Sequence, residues 1–487
     1  HTVIDFDSQF DAFKLIKMKD GIVVFRDNFV DSGSQLTLPK LPLTFLELQL
    51  KKGEFKQDYS IEPPELSYPL ADGACVYGDV TGARILTSSS SSKKKIEISV
   101  KLEKQIHYLP GDTFGFCVGN LEKEVELFFR LTNIDDYKNV DYQLAVAHGK
   151  KGKLPSHYPS KGKLYILAKY CCDFRSIPKK QHLNFLSGFC SDEKHKAALQ
   201  ELSSREGSEK YRELIFTPHI TILDILLIFS SCKVPLVNLL EILPRLNPRP
   251  FSVTSSPLAS PNILTFAISV VEISFNSCYF EDTKGVCTGW IDNQVTMLHH
   301  SQEDSDICDQ IKKLSLSLEP FQIRLYKRMN SGFVLPELGN FPVMMIAAGT
   351  GIAPFISFLR HWKLSGRQNT FPTHLFFGCQ HPDHDFLFQS ELEDHIKAGV
   401  LAELHVSYSQ YKGKLHVQDK LLELSTVIVS LMKNKGVIFV CGSSAMIRSV
   451  RATINEISVT IMGAGEAKSV NPVDEWINDR RYFEDVW

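Results

Sequence analysis

Val343-Met344-Met345-Ile346-Ala347, followed by Ala348 and then Gly349-Thr350-Gly351-Ile352-Ala353-Pro354, decides the fold of this chain. The apolar run is a buried strand, and the helix that follows begins near Phe355. The glycines between them let the backbone turn sharply and approach a ligand, while unpaired amides and the positive helix end favour an anion such as a pyrophosphate. Pro354 suits a first helical turn. Taken alone, Gly-x-Gly serves any tight strand-to-helix turn as readily as a ligand site.

Toward the C-terminus, short apolar runs alternate with helical stretches: Phe355 to Trp362, Leu375 to Phe377, Leu387 to Ile396, Leu404 to Tyr408 and Val437 to Val440. That rhythm predicts a parallel α/β sheet. Toward the N-terminus the period changes to two. Leu264 to Ile273 reads as alternating strand with turns following at Gly285 and Gly289. Ile96, Ile98, Val100 and Leu102 alternate with polar residues as a half-buried strand, and Pro110-Gly111-Asp112 turns the chain into Phe114 to Val118. Between about Asn120 and Leu246 the pattern is helical, notably at Ala197 to Glu206, Tyr211 to Ile215 and Ile220 to Phe229, so the β domain is split around a helical insertion. The irregular segment from Lys51 to about Asp79 and the serine run Ser88 to Ser92 predict solvated loops. The expected division is 1–50 hinge, 51–120 and 247–338 two parts of a β-barrel, 121–246 helical connecting domain, and 339–487 α/β domain.

Size and composition bound the function. A chain of 487 residues exceeds one ordinary core. Hydrophobic content of 43%, charged content of 23% and a formal charge of -2 describe a soluble globular protein without the basic surface that nucleic acid requires. Its 11 cysteines are scattered without C-x-x-C spacing, which argues against a disulfide framework or zinc site and for a reducing cytoplasmic compartment. The apolar stretch Ile220 to Phe229 carries Asp224 and is far short of the roughly 20 residues that span a bilayer, so it reads as a buried helix. The chain begins at His1 without a signal-like segment and is expected to be a monomeric piece of a longer protein.

Three further motifs carry chemistry. In Pro248-Arg249-Pro250-Phe251-Ser252, Arg249 can clamp a phosphate, Phe251 can pack on an aromatic ring and the Ser252 hydroxyl can donate to a ring nitrogen or oxygen; a Pro-rich connection with a surface arginine is the bland alternative. In Gly285-Val286-Cys287-Thr288-Gly289, two glycines bracket a hydroxyl as in a backbone nest for an anion. The chain ends Arg480-Arg481-Tyr482-Phe483-Glu484-Asp485-Val486-Trp487, and a terminal indole implies burial or stacking.

Together these motifs resemble the ferredoxin-reductase-like flavoenzymes, and within them the diflavin reductases. The resemblance covers roughly Pro110 to the end. It implies a multidomain α+β and α/β architecture: an antiparallel β-barrel FAD domain with a helical insertion, then a parallel α/β NADP-binding domain. It also implies FAD held by Arg249, Pro250, Phe251 and Ser252, with its diphosphate at Gly285, Val286, Cys287 and Thr288. NADPH would lie at Gly349, Thr350 and Gly351, its 2′-phosphate at Ser409, Gln410, Lys414, His416 and Gln418. Ser252, Cys441, Asp485 and Trp487 form the implied catalytic cluster, Trp487 covering the flavin. Val440-Cys441-Gly442 is the run that resembles the family's sheet-edge motif. No metal is implied.

The runs Arg175 to Lys180, Leu243 to Leu246, Cys287 to Trp290 and Phe376 to Cys379 resemble the branch of the family that passes electrons through an FMN domain to the cobalamin of methionine synthase. No flavodoxin phosphate loop is readable, so FMN belongs to a domain absent from this chain. Rival readings are a reductase for a haem protein and a flavin-free binding module.

Several positions depart from the family pattern. Phe251 replaces a tyrosine, a loss of roughly 0.5 to 1.5 kcal/mol of hydrogen bonding. Gln410 replaces an arginine and His416 a tyrosine, which would erode preference for NADPH over NADH by about tenfold to a hundredfold, with Lys414 keeping part of it. Ser443 and Ser449 replace acidic residues.

Overall fold

The computed structural model describes residues 16–18, 21–23, 35–52, 66, 68–272, 284–303, 321–329, 332–335, 341–366, 371–462 and 472–486. Along the chain the strands are β1 (Ile16–Met18), β2 (Gly21–Val23), β3 (Leu46–Lys52), β4 (Val76–Ile85), β5 (Lys95–Leu102), β6 (Thr113–Cys117), β7 (Val140–Val146) and β8 (Lys161–Lys163). They continue with β9 (Arg249–Ser252), β10 (Ile263–Ser269), β11 (Gln322–Lys327), β12 (Val343–Ala348), β13 (Thr373–Cys379), β14 (Glu403–Tyr408), β15 (Val437–Gly442) and β16 (Tyr482–Val486). Contacts divide the chain into two units: residues 1–69, 118–247 and 272–286 form one, and residues 70–117, 248–271 and 287–487 form the other.

The first unit is mainly helical, with helices at Glu122–Leu131, Leu164–Tyr170, Lys180–Ser187, Glu193–Ser203, Ile222–Ile228 and Leu236–Ile242. Asp224, buried within the most apolar of these, closes a capping box: Thr221 donates to its carboxylate from both its amide (3.0 Å) and its hydroxyl (2.7 Å). The run expected to be a hinge leading into a solvated loop instead contributes β3, which pairs antiparallel with β7 in a sheet ordered β3-β7-β8. Leu46, Leu48 and Leu50 alternate with polar residues, but the period lies in too short a window to stand out from the segment around it. Barrel strands start only at Val76. Arg175, from one of the family-like runs, is buried against Glu124 at 2.5 Å and also donates to the carbonyl of Lys284, immediately before Gly285.

In the second unit a sheet ordered β10-β5-β4-β11-β6-β9 is antiparallel throughout. A bridge between Val253 and Phe266 joins its two ends, so it closes as a barrel. The inward set includes Ile96, Ile98, Val100, Phe114, Phe116 and Phe266, all buried, with Phe266 edge-on to Phe114 and Phe116. Each such side chain contributes on the order of 1.5–3 kcal/mol by leaving water. One expectation fails here: β5 is covered on both faces, because Lys95 and Glu97, on its polar face, are themselves buried against residues of the following α/β layer.

The same unit carries a parallel sheet ordered β14-β13-β12-β15-β16. Met345, Ala347, Phe377, Phe439 and Cys441 line one face beneath the helix Ala353–Leu364, and Met344, Ile346, Phe376, Ile438 and Val440 line the other beneath Ser444–Met462. Apolar residues at successive rather than alternate positions are what a sheet buried on both sides demands. The chain winds from β12 outward through β13 to β14, then returns to the other side of β12 for β15 and β16. The strand order therefore reverses beside β12, and the crevice at the carboxyl ends of β12 and β15 is where open α/β sheets bind ligands.

Candidate active site

Gly349-Thr350-Gly351 lies at that reversal, directly after β12, and forms one turn of 3-10 helix that runs into Ala353–Leu364 with Pro354 in its first turn. Gly349 has φ +55°, a left-handed conformation, and open space where a Cβ would project. The backbone is thus bare on the side that a phosphate would approach, as a pyrophosphate loop requires.

Register places chemistry next to the loop. Ala347 pairs with Cys441 and Cys441 with Asp485, so the three sit abreast on β12, β15 and β16, with the side chains of register partners on one face. The barrel supplies the remaining group: Ser252, the last residue of β9, donates from Oγ to Asp485 Oδ2 at 3.1 Å, and Cys441 Sγ lies 3.9 Å from the same oxygen. Thr113, opposite Ser252 in the β6–β9 register, has its hydroxyl 3.2 Å from Ser252 Oγ. With the Ser252 proton directed at Asp485, Thr113 is the donor to Ser252. The result is a hydrogen-bonded row, Thr113, Ser252, Asp485 and Cys441, assembled from residues 113, 252, 441 and 485.

Burial sets the proton affinities in this row. It raises Asp485 above the usual carboxylate value, opposed by the Ser252 hydrogen bond and by the charge of Arg328. The buried Cys441 thiol is pushed well above its ordinary value by burial and then by Asp485, so it stays protonated.

The other sequence-predicted residues fall in three places. Arg249 and Phe251 are half-buried in β9 and Pro250 is exposed; Phe251 is edge-on to Phe116 at 4.9 Å. Gly285 directly precedes a helix, Val286–Glu303, which overturns the reading of a turn bracketed by two glycines: Gly289 is inside the helix. A helix end offers free amides as a nest does, and eighteen helical residues carry the dipole to support them. Thr288 is buried there, its hydroxyl oxygen accepting from the Val271 amide at 3.0 Å. Burial raises the Cys287 thiol to about 12, countered by the nearby Arg249. Ser409, Gln410, Lys414, His416 and Gln418 gather where β14 turns into the helix Val417–Glu423. Gln410, Lys414 and His416 are exposed, and Lys414 has φ +47°. Trp487 lies outside the described residues.

Three contributors were not singled out from sequence. Thr113 follows the Pro110-Gly111-Asp112 turn, but nothing in its neighbourhood announces a partner 139 residues away. Arg328 acts on Asp485 through its charge, and its backbone amide donates to the Thr113 carbonyl at 2.9 Å. Gly111, at φ +85°, packs so closely on the loop's helix that a Cβ would lie 2.7 Å from the Phe358 ring, and its amide donates to Ser357 Oγ at 3.3 Å.

Comparison with known proteins agrees with this arrangement. Residues 74–290 match the FAD binding domain family and residues 345–452 the oxidoreductase NAD-binding domain family. Methionine synthase reductase of Mus musculus is 31% identical over 475 residues, 94% of this chain and 66% of that protein. The bifunctional cytochrome P450/NADPH–P450 reductase of Bacillus cereus is 28% identical over 85% of this chain and 36% of its own length. The inducible nitric oxide synthase of Oryctolagus cuniculus is 29% identical over 82% of this chain and 77% of its own length. The chain spans 66% of the length of the methionine synthase reductases of mouse, rat, human and cattle. Among the described residues no helix is long and apolar enough to cross a membrane. With an FAD-binding barrel, an NAD-binding sheet and relatives of this kind, the chain belongs to the diflavin reductase family, as a homologue of methionine synthase reductase.

Proposed function

We propose that this chain takes a hydride from NADPH onto FAD at the row Thr113, Ser252, Asp485 and Cys441, and delivers the electrons through an FMN domain of the longer protein to the cobalamin of methionine synthase. The observation that carries the first half is the meeting of Ser252 and Cys441 at one Asp485 oxygen, at 3.1 and 3.9 Å, beside the Gly349 turn. FAD, when bound, supplies the hydride-accepting ring, and NADPH the hydride.

The protein's part is to bind and orient. Arg249 and the amides opening Val286–Glu303 would hold the FAD diphosphate, and Gly349, Thr350 and Gly351 the NADPH pyrophosphate. The Ser252 hydroxyl has one proton, directed at Asp485; rotation about its C–O bond would present it to an acceptor in the site, while Thr113 continues to donate to its oxygen. Asp485, ionised, would favour positive charge developing on the nicotinamide side, and Cys441 would set the depth of the crevice. Trp487 would cover the flavin until the nicotinamide arrives. Lys414 and Ser409, with Gln410, His416 and Gln418, would receive the 2′-phosphate.

The acceptor is inferred from the relatives named methionine synthase reductase, which align with 94% of this chain. A cytoplasmic, monomeric protein fits that role.

The first test is a visible spectrum of the purified chain with FAD, followed by anaerobic NADPH and, separately, NADH. Flavin bands that bleach with NADPH are expected, at a rate above that with NADH. Failure to bind flavin after incubation with FAD overturns the hydride reading. For the acceptor, the chain and a flavodoxin-type FMN domain together should reactivate methionine synthase, and reduction of a haem protein in its place would reassign the partner.

A further inference from the structure

On the opposite face of the parallel sheet from Cys441, and at the amino ends of its strands, three side chains outside the hydride site converge. His374 is the second residue of β13, and Glu403 and His405 are the first and third of β14; His374 pairs in register with Glu403. His374 Nδ1 lies 3.4 Å from His405 Nε2 and 3.7 Å from Glu403 Oε2, and His405 Nε2 lies 3.3 Å from that same oxygen. Three donor atoms at about 2.0–2.2 Å from a tetrahedral ion stand about 3.3–3.6 Å apart, so two of these separations match one face of a coordination tetrahedron and the third, 3.7 Å, is slightly wide of it.

We propose that His374, Glu403 and His405 bind a divalent transition metal of the zinc class, with the fourth position open to water. The donor set, two imidazoles and a carboxylate, is one zinc accepts in sites that keep an open position. The imidazoles are shielded, at 9% and 12% exposure, and the carboxylate is 57% exposed, so the ion has a route from solvent and a partly dry seat. The two rings lie at 13° with their facing nitrogens within hydrogen-bond reach. Without metal they share one N–H···N bond; a modest rotation of each ring, within the broad torsional well of a histidine, turns both lone pairs toward Glu403. Phe376 packs on His405 with ring centroids 4.4 Å apart and limits how far that ring can swing. Lys420, near His405 on the helix Val417–Glu423, is held by Glu423 at 2.8 Å.

The test uses the full chain loaded with FAD, stripped by a chelator and dialysed against buffered free Zn²⁺, with bound zinc counted by elemental analysis for wild type, His374→Gln, His405→Gln and Glu403→Gln. Wild type is expected to hold one zinc more than either histidine variant, and Glu403→Gln to weaken binding by more than about tenfold. Flavin content and far-UV circular dichroism check the fold, and Glu403, being exposed, is the variant that leaves the core untouched. Equal zinc in wild type and in folded Glu403→Gln and His405→Gln overturns the proposal.

Discussion

Asp485 is half-buried, and among the described residues its carboxylate is answered by a hydroxyl and a thiol rather than by a cation in contact. Because burial raises its proton affinity, the native state holds that proton more tightly than the unfolded chain does, so its stabilising contribution is present at low pH and disappears as pH rises through the raised value. At neutral pH the ionised group burdens the fold. Asp485→Asn is therefore expected to keep or raise Tm at neutral pH while slowing flavin reduction by NADPH by about a hundredfold, and to remove the limb of the rate profile in which activity grows as this acid ionises. A calorimetric scan and stopped-flow traces across pH check both halves; a lower Tm with unchanged rate would make Asp485 merely structural. Ser252, Cys441 and Asp485 were legible because each sits in a motif the family resemblance marks. Thr113 was not, since a threonine after a turn is ordinary until the β6–β9 register sets it opposite Ser252.

Among the elements, the helix after the Gly349 loop, Ala353–Leu364, does more than open with a glycine turn. Its Arg360 grips Glu391 with two hydrogen bonds (2.6 and 2.9 Å) and reaches Glu97 of β5, the Thr254 carbonyl and the Thr265 hydroxyl at 3.1–3.2 Å. Arg84 holds the other oxygen of Glu97 at 2.6 Å. Arg360→Met leaves Glu97 buried with fewer partners and should destabilise the unit by about 3–5 kcal/mol, read as a lower urea midpoint. Burial alone would raise Glu391, but Arg360 takes it down to about 2 from 4.5. Its contribution is thus complete above pH 4.5 and is lost as pH falls toward about 2; in Arg360→Met that acid-side loss should shrink. The strands and helices of this layer were readable in sequence because every apolar run of β12, β13 and β15 is short and bounded. The burial of Lys95 and Glu97 was not: their partners Asp385 and Arg360 lie 290 and 263 residues further on. Likewise Gly289 looked like a turn because glycine is usually punctuation, whereas here it lies within eighteen residues of helix.

For the whole molecule, the architecture of split barrel, helical insertion and parallel sheet was legible from periodicity, while β3 and the small sheet around it were not, being too short to outvote the helices surrounding them. The reversal of strand order beside β12 has a further outcome. Gln410, Lys414 and His416, proposed to tell NADPH from NADH, follow β14 on one side of the Gly349 turn; Cys441 and Asp485, proposed to flank the reacting atoms, ride on β15 and β16 on the other. With no side chain shared, effects on the two sides should add on a free-energy scale. Gln410→Arg should raise the NADPH to NADH ratio of kcat/KM by about tenfold or more in wild type and by the same factor in Asp485→Asn, as a double-mutant cycle would measure. Coenzyme choice and reaction rate are then separately heritable traits, and a lineage can drift in one without forfeiting the other.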